Sequence, residues 1–222
     1  MCKGQMIEIE AGDGARIGAY HVTPFGVRRG GLVLIQEIFG ITEHIKDIAD
    51  DFCAEGYEVL APALFDREEP GFIASADEMA KGSELSKRHP FNLSVEDAKT
   101  CAHMLKPNGL VFSVGYCYGG SVAYALSCRS HDLSAVSSYY GKFAPDLAEE
   151  KPNCPVICHF GKRDTSIPLE RVEHLRMLRP EIEIHLYDAG HGFNSPRPAN
   201  HEPEAARIAR DRTLDFFRAH GA

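Results

Sequence analysis

Three residues of this 222-residue chain have the types, neighbours and sequence order that nucleophilic catalysis needs. Cys117 lies in Gly115-Tyr116-Cys117-Tyr118-Gly119-Gly120, Asp164 closes Gly161-Lys162-Arg163-Asp164, and His191 stands between Gly190 and Gly192. A thiolate attacks a carbonyl carbon, an imidazole holds the proton and returns it to the leaving group, and a carboxylate fixes the imidazole's tautomer and stabilises its charged form. Each residue taken alone also has an ordinary explanation. Gly-x-Cys-x-Gly suits a tight turn around a small buried thiol, and aspartate is common wherever the backbone turns. His191 is less ordinary, because its flanking glycines leave the loop unsupported by side-chain packing. It is the joint occurrence, in the order nucleophile, acid, histidine, that points to a hydrolase-type site.

Such residues must be held by rigid elements. The apolar run Leu110-Val111-Phe112-Ser113-Val114 reads as a buried parallel strand, and Ser121-Val122-Ala123-Tyr124-Ala125-Leu126 as the body of a helix over 121–128, so the chain must turn sharply at Cys117. This is the strand-turn-helix elbow G-x-S-x-G with cysteine in the serine position. Glycines at 115 and 119 let strand end and helix start approach closely, while the helix N-terminus favours a thiolate and offers N–H groups to an oxyanion. Asp164 and His191 each follow an expected strand, at 156–160 and 182–187, where an open parallel sheet collects its functional loops.

The rest of the chain supplies that sheet. Residues 5–10 and 15–22 alternate around Gly12-Asp13-Gly14 and predict an antiparallel edge pair. Strands follow at 31–35, 57–61 and 135–139. Helices are expected over 42–55, from a capping box at Ser75 to about residue 88, from Ser94 over 95–106, and over 168–178 and 202–218. Eight strands with helices interleaved after the third predict a single α/β domain over residues 1–222, a mostly parallel eight-stranded sheet with helices on both faces.

Composition bounds the partners. Forty-four per cent hydrophobic residues can bury a substantial core, and a net charge of −8 disfavours nucleic acid and anionic membrane. No stretch reaches the ~20 apolar residues of a membrane span. Seven cysteines with no C-x-x-C, and no secretory signal read before the first strand, predict free thiols in the cytoplasm. With no His-Glu-x-x-His and no clustered His/Cys set, neither metal nor cofactor is expected. The expected assembly is a monomer or a weak homodimer.

The sequence resembles the dienelactone hydrolase family of α/β-hydrolases. The resemblance rests on Gln36-Glu37-Ile38-Phe39-Gly40, on the elbow at Cys117, on Asp164 after its strand and on Gly190-His191-Gly192-Phe193, and the order of elements fits over nearly the whole chain. It implies a Cys117–His191–Asp164 triad that opens cyclic enol-lactones such as dienelactone to maleylacetate, in bacterial breakdown of chlorinated aromatics. It further implies that Glu37 engages the resting thiol and moves when substrate binds. The backbone N–H groups of Ile38 and Tyr118 fall on the family's oxyanion hole, each such donor being worth about 3 kcal/mol. The sequence departs from the family where an arginine four residues after the histidine holds the substrate carboxylate: here that position is Ser195, with Arg197 two further on as a candidate. A second family arginine has only Lys81 and Arg67 as candidates. The expected partner is therefore a small ester or lactone, with Arg197 as the candidate that would receive an anionic one. The alternatives are a general small-acyl carboxylesterase with the same triad, a thiol redox sensor using Cys117, for which no resolving cysteine is adjacent, and a fold retained with a silent site.

Overall fold

A computed structural model describes residues 2–197 and 199–222. Its strands are β1 (Gln5–Glu10), β2 (Arg16–Val22), β3 (Gly30–Ile35), β4 (Tyr57–Pro62), β5 (Val111–Tyr116), β6 (Ala135–Tyr139), β7 (Val156–Gly161) and β8 (Glu183–Tyr187), joined in one sheet of order β1-β2-β4-β3-β5-β6-β7-β8. The β1–β2 and β2–β4 pairs are antiparallel and all the others parallel. Every residue of β3, β5, β6 and β7 is buried, which is why these segments read as continuous apolar runs rather than alternating ones. The edges alternate or are half-exposed.

The helices are α1 (Glu43–Ala54), α2 (Met79–Arg88), α3 (Phe91–Leu105), α4 (Tyr118–Arg129), α5 (Leu169–Leu178) and α6 (Pro203–Ala219). In α1, Ile45, Ile48, Ala49, Phe52 and Cys53 recur at three and four and form the buried face. Phe52 meets Tyr57 edge-on, and Tyr57 meets both Phe112 of β5 and Phe217 of α6, so α1 and α6 cover one face of the sheet. Helices α3 and α4 pack on each other and on β3 and β5, covering the other.

Three local expectations change. Helix α3 begins at Phe91, with Pro90 as its N-cap, so Ser94 is not a cap; it is buried in the first turn with its Oγ 2.8 Å from the Tyr118 hydroxyl. Proline favours the position just outside a helix because it has no N–H to leave unpaired. Helix α4 starts at once after Cys117 rather than at Ser121. The expectation that all thiols are free is corrected by a Cys2–Cys53 disulfide, with Cα atoms 6.0 Å apart, which ties the segment before β1 to the buried face of α1; Cys101, Cys117, Cys128, Cys154 and Cys158 are free. Among the described residues, no helix is long and apolar enough to cross a membrane.

Candidate active site

Parallel register brings the ends of β3, β5, β7 and β8 to one edge of the sheet, and the loops after them carry the candidate residues. Cys117 caps α4 with φ 55°, a left-handed conformation that costs a non-glycine residue roughly 1–3 kcal/mol. Its N–H donates to the Tyr139 carbonyl at 3.0 Å, which fixes the turn from below. A Cβ on Gly115 would overlap the Gly119 carbonyl, so the strand end and the first helical turn can meet only because residue 115 is glycine, while a Cβ on Gly119 would overlap the Ile35 and Gln36 carbonyls at the end of β3. The sulfur is half-buried.

The three residues converge. Asp164 is 4% exposed, and its Oδ2 accepts the His191 Nδ1–H at 2.6 Å. The His191 Nε2 lies 3.1 Å from the Cys117 Sγ, a hydrogen bond. An ionised carboxylate only accepts, so Nδ1 carries the proton and Nε2 is left to exchange one with sulfur. Asp164 Oδ1 accepts from the Ser166 N–H at 2.8 Å, the Ser166 hydroxyl at 2.6 Å and the Ile167 N–H at 3.2 Å, so the carboxylate is held from both sides. The loop around His191 is not unsupported: Asn200 Nδ2 donates to the His191 carbonyl at 2.8 Å, the buried Tyr140 ring meets the imidazole edge-on at 5.2 Å, and Phe193 is fully buried. The glycines shape this loop while distant side chains pack it.

Electrostatics follow from these contacts. Burial opposes the charge of Asp164, yet the hydrogen bond and charge of His191, together with the Ser166 bonds, outweigh it and hold the carboxyl below its usual range. Burial likewise opposes the imidazolium, but hydrogen bonds to Asp164 and Cys117, and their charges, raise His191 to about 10. A value raised above the unfolded ~6.5 contributes stability that is full below ~6.5 and lost as pH climbs towards the folded value. The unfolding free-energy gap between wild type and His191→Gln in urea titrations is therefore expected to shrink from about pH 7 to about pH 10. A gap that stays constant or widens would contradict the imidazolium assignment.

Glu37 is 6% exposed in the loop after β3; burial pushes its carboxyl up, against the pull of the Arg197 and His191 charges. The sulfur's hydrogen-bond partner here is His191 rather than Glu37. Among the described residues, neither the Ile38 nor the Tyr118 N–H donates to a backbone carbonyl. Arg197 lies flat on the Phe39 ring, 3.5 Å from its centroid, whereas Ser195 is buried with its N–H on the Gly192 carbonyl. The other two candidate cations are occupied. Arg67 forks onto the fully buried Asp97 and onto Asp13, and Lys81 pairs with Glu69 at 2.7 Å. Among the described residues, no group of three or more His, Cys, Asp or Glu side chains could hold a metal ion. A wide depression of about 820 Å³ lined by Phe25, Val27, Cys53 and Ala222 contains none of these residues.

Sequence reasoning missed Ser166, Asn200 and Tyr140. The Asp164-Thr165-Ser166 spacing is a recognisable side-chain-to-backbone turn and could have flagged Ser166. Nothing local could have flagged Asn200 or Tyr140, whose contacts with His191 span 9 and 51 residues of sequence.

Comparison with known proteins agrees with this architecture. The model of the dienelactone hydrolase family matches residues 17–221. A protein of Salmonella typhimurium provisionally named a carboxymethylenebutenolidase is 33% identical over 211 residues, covering 86% of this chain and 77% of its own. The carboxymethylenebutenolidase of Pseudomonas sp. (strain P51) is 29% identical over 223 residues, 96% of this chain and 94% of its own. The crystal structure of a Klebsiella pneumoniae protein provisionally called a dienelactone hydrolase superposes with a TM-score of 0.88 at 26% identity, over 98% of this chain and 99% of that one. The chain is thus an α/β-hydrolase and an enzyme, and it belongs to the dienelactone hydrolase family.

Proposed function

We propose that the protein hydrolyses carboxylic esters or lactones through a thioester acyl-enzyme, with Cys117 as nucleophile, His191 as base and then acid, and Asp164 as the orienting carboxylate. The observation that carries this is the continuous chain Asp164–His191–Cys117, at 2.6 and 3.1 Å, ending at a strained elbow from which α4 starts at Tyr118. The thiol's proton rests on His191 Nε2, in the imidazolium that Asp164 stabilises, as sulfur attacks the carbonyl carbon. The negative oxygen of the tetrahedral intermediate is received by the Ile38 and Tyr118 N–H groups. Collapse breaks the C–O bond, and the leaving oxygen takes the proton from His191. Water then attacks the thioester and gives a proton to His191 Nε2, and the C–S bond breaks to release the acid and leave sulfur beside the imidazolium again.

Glu37 gates the thiol in this scheme. Its carboxyl lies in the field of His191 and Arg197, so arrival of an anionic substrate at Arg197 would alter the balance that holds it. The substrate class follows from the cations. With Arg67 and Lys81 neutralised by carboxylates, Arg197 is the group left to meet a substrate carboxylate, and the family's two-arginine clamp is not reproduced. This supports a singly charged lactone such as dienelactone, and a small neutral ester turned over without help from Arg197.

The test compares cis- and trans-dienelactone with p-nitrophenyl acetate. Arg197→Ala is expected to raise KM for dienelactone about tenfold or more, the loss of a charge-assisted contact, and to leave KM for the neutral ester within about twofold. Equal effects on both substrates would remove Arg197 from carboxylate binding. Turnover of neither by the wild type would overturn the hydrolytic proposal.

A further inference from the structure

Gln36 is fully buried at the end of β3, where a polar side chain must find partners for both ends of its carboxamide. It does. Its Oε1 accepts the Leu64 N–H at 3.2 Å, from the chain just beyond β4, and its Nε2 donates to the carbonyl of Glu37 at 3.1 Å. Because a backbone N–H can only donate, the first bond fixes which end of the amide is oxygen and leaves the second no alternative. The Glu37 carbonyl belongs to the same peptide plane as the Ile38 N–H, and in a trans peptide the two point in opposite directions. Tying the carbonyl to Gln36 therefore aims the Ile38 N–H away from Gln36.

Two packing contacts hold the same segment in place. The Gln36 carbonyl abuts Gly119 in the first turn of α4, closely enough that a Cβ there would overlap it, which keeps the loop against the elbow. The Ile38 carbonyl is packed on Gly82 of α2, where a Cβ would again overlap. Neither contact orients the Glu37–Ile38 peptide plane itself. Among the described residues, only the Gln36 carboxamide hydrogen-bonds to it, and the glutamine is anchored in turn to the Leu64 N–H.

We propose that Gln36 is the positioning residue of the oxyanion hole: it locks the Glu37–Ile38 peptide so that the Ile38 N–H is aimed before substrate arrives. This rests on the thioester mechanism above. A donor held in advance costs no reorganisation in the transition state, whereas a free peptide could rotate and pair with water.

The test uses Gln36→Met, of similar shape but without either hydrogen bond, with steady-state hydrolysis of p-nitrophenyl acetate and alkylation of Cys117 by iodoacetamide. Alkylation is a displacement at saturated carbon and forms no oxyanion, so it reads the thiol alone. Loss of one such donor lowers kcat on the order of 10²-fold. The expected result is a kcat reduced by about that factor, with KM within about threefold and the alkylation rate unchanged. A folded Gln36→Met enzyme with kcat within about threefold of wild type, or with alkylation slowed in step with kcat, overturns the proposal. Should that variant not fold, Gln36→Glu decides. Its neutral acid can still donate to the Glu37 carbonyl and accept from Leu64, but its carboxylate cannot donate, so kcat relative to wild type should recover between about pH 8 and about pH 5. A ratio that is reduced and flat across that range also overturns the proposal. Failure of the underlying mechanism is distinguishable, since it would show in the wild type and in Cys117→Ala irrespective of Gln36.

Discussion

Replacing Cys117 by alanine is expected to lower kcat for p-nitrophenyl acetate and for dienelactone by roughly 10⁴-fold or more, with the fold intact. The reasoning is geometric. Cys117 is the one side chain that the elbow lifts from the end of β5 with its sulfur on His191 Nε2, so its removal leaves an imidazole with nothing to activate but water. The proposed oxyanion donors, the Ile38 and Tyr118 N–H groups, would persist, and such donors together with binding account for any residual rate. Cys117→Ser serves as a control that keeps the polar group. A hydroxyl gives up its proton far less readily than a thiol, and His191 is tuned to a sulfur partner, so the serine variant is expected to fall between alanine and wild type. Mass spectrometry of rapidly quenched wild-type reactions should reveal an acyl group on Cys117. Undiminished turnover by Cys117→Ala would remove the nucleophile from the scheme and favour a non-hydrolytic use of the fold.

Asp164→Asn is expected to give the second largest loss, about 10²- to 10³-fold in kcat. The amide oxygen would take the place of Oδ1, where the Ser166 N–H, the Ser166 hydroxyl and the Ile167 N–H all donate. That leaves the amide NH₂ facing His191 Nδ1, which must then accept. The imidazole proton moves to Nε2, and the nitrogen facing sulfur can no longer take the thiol's proton. The loss is smaller than the ~10⁴ of the corresponding change in serine enzymes because a thiol depends less on its base. Alkylation of Cys117 should slow in the same variant, in contrast to Gln36→Met, and a variant with wild-type kcat would show that the carboxylate neither orients nor charges the histidine.

Much of the architecture is written locally. Segments such as Val111–Tyr116 and Val156–Gly161 are buried on both faces, so nearly every position is apolar or small and the strand is visible as a run. In α1 one face is buried, and the spacing of Ile45, Ile48, Ala49, Phe52 and Cys53 shows it. The elbow is equally legible, because close backbone contact demands glycine at both 115 and 119. Helix starts were less so: Phe91 and Tyr118 begin helices whose first turns are fixed by tertiary contacts, Ser94 on Tyr118 and Cys117 on Tyr139, which outweigh local capping preference.

By itself, then, the sequence determined the α/β order, the elbow and the identity and order of Cys117, Asp164 and His191, because hydrogen-bonding period, burial pattern and turn chemistry act between near neighbours. Only the tertiary structure decided which charges remain available. Arg67 is consumed by Asp97 and Asp13, 30 and 54 residues away, Lys81 by Glu69, and Arg197 is laid on Phe39. It likewise paired Cys2 with Cys53 across 51 residues and turned Gln36 onto the Glu37 carbonyl and Leu64. Coulomb attraction and hydrogen bonding are short in space and indifferent to separation along the chain, so a side chain's partners are settled only when packing has chosen its neighbours.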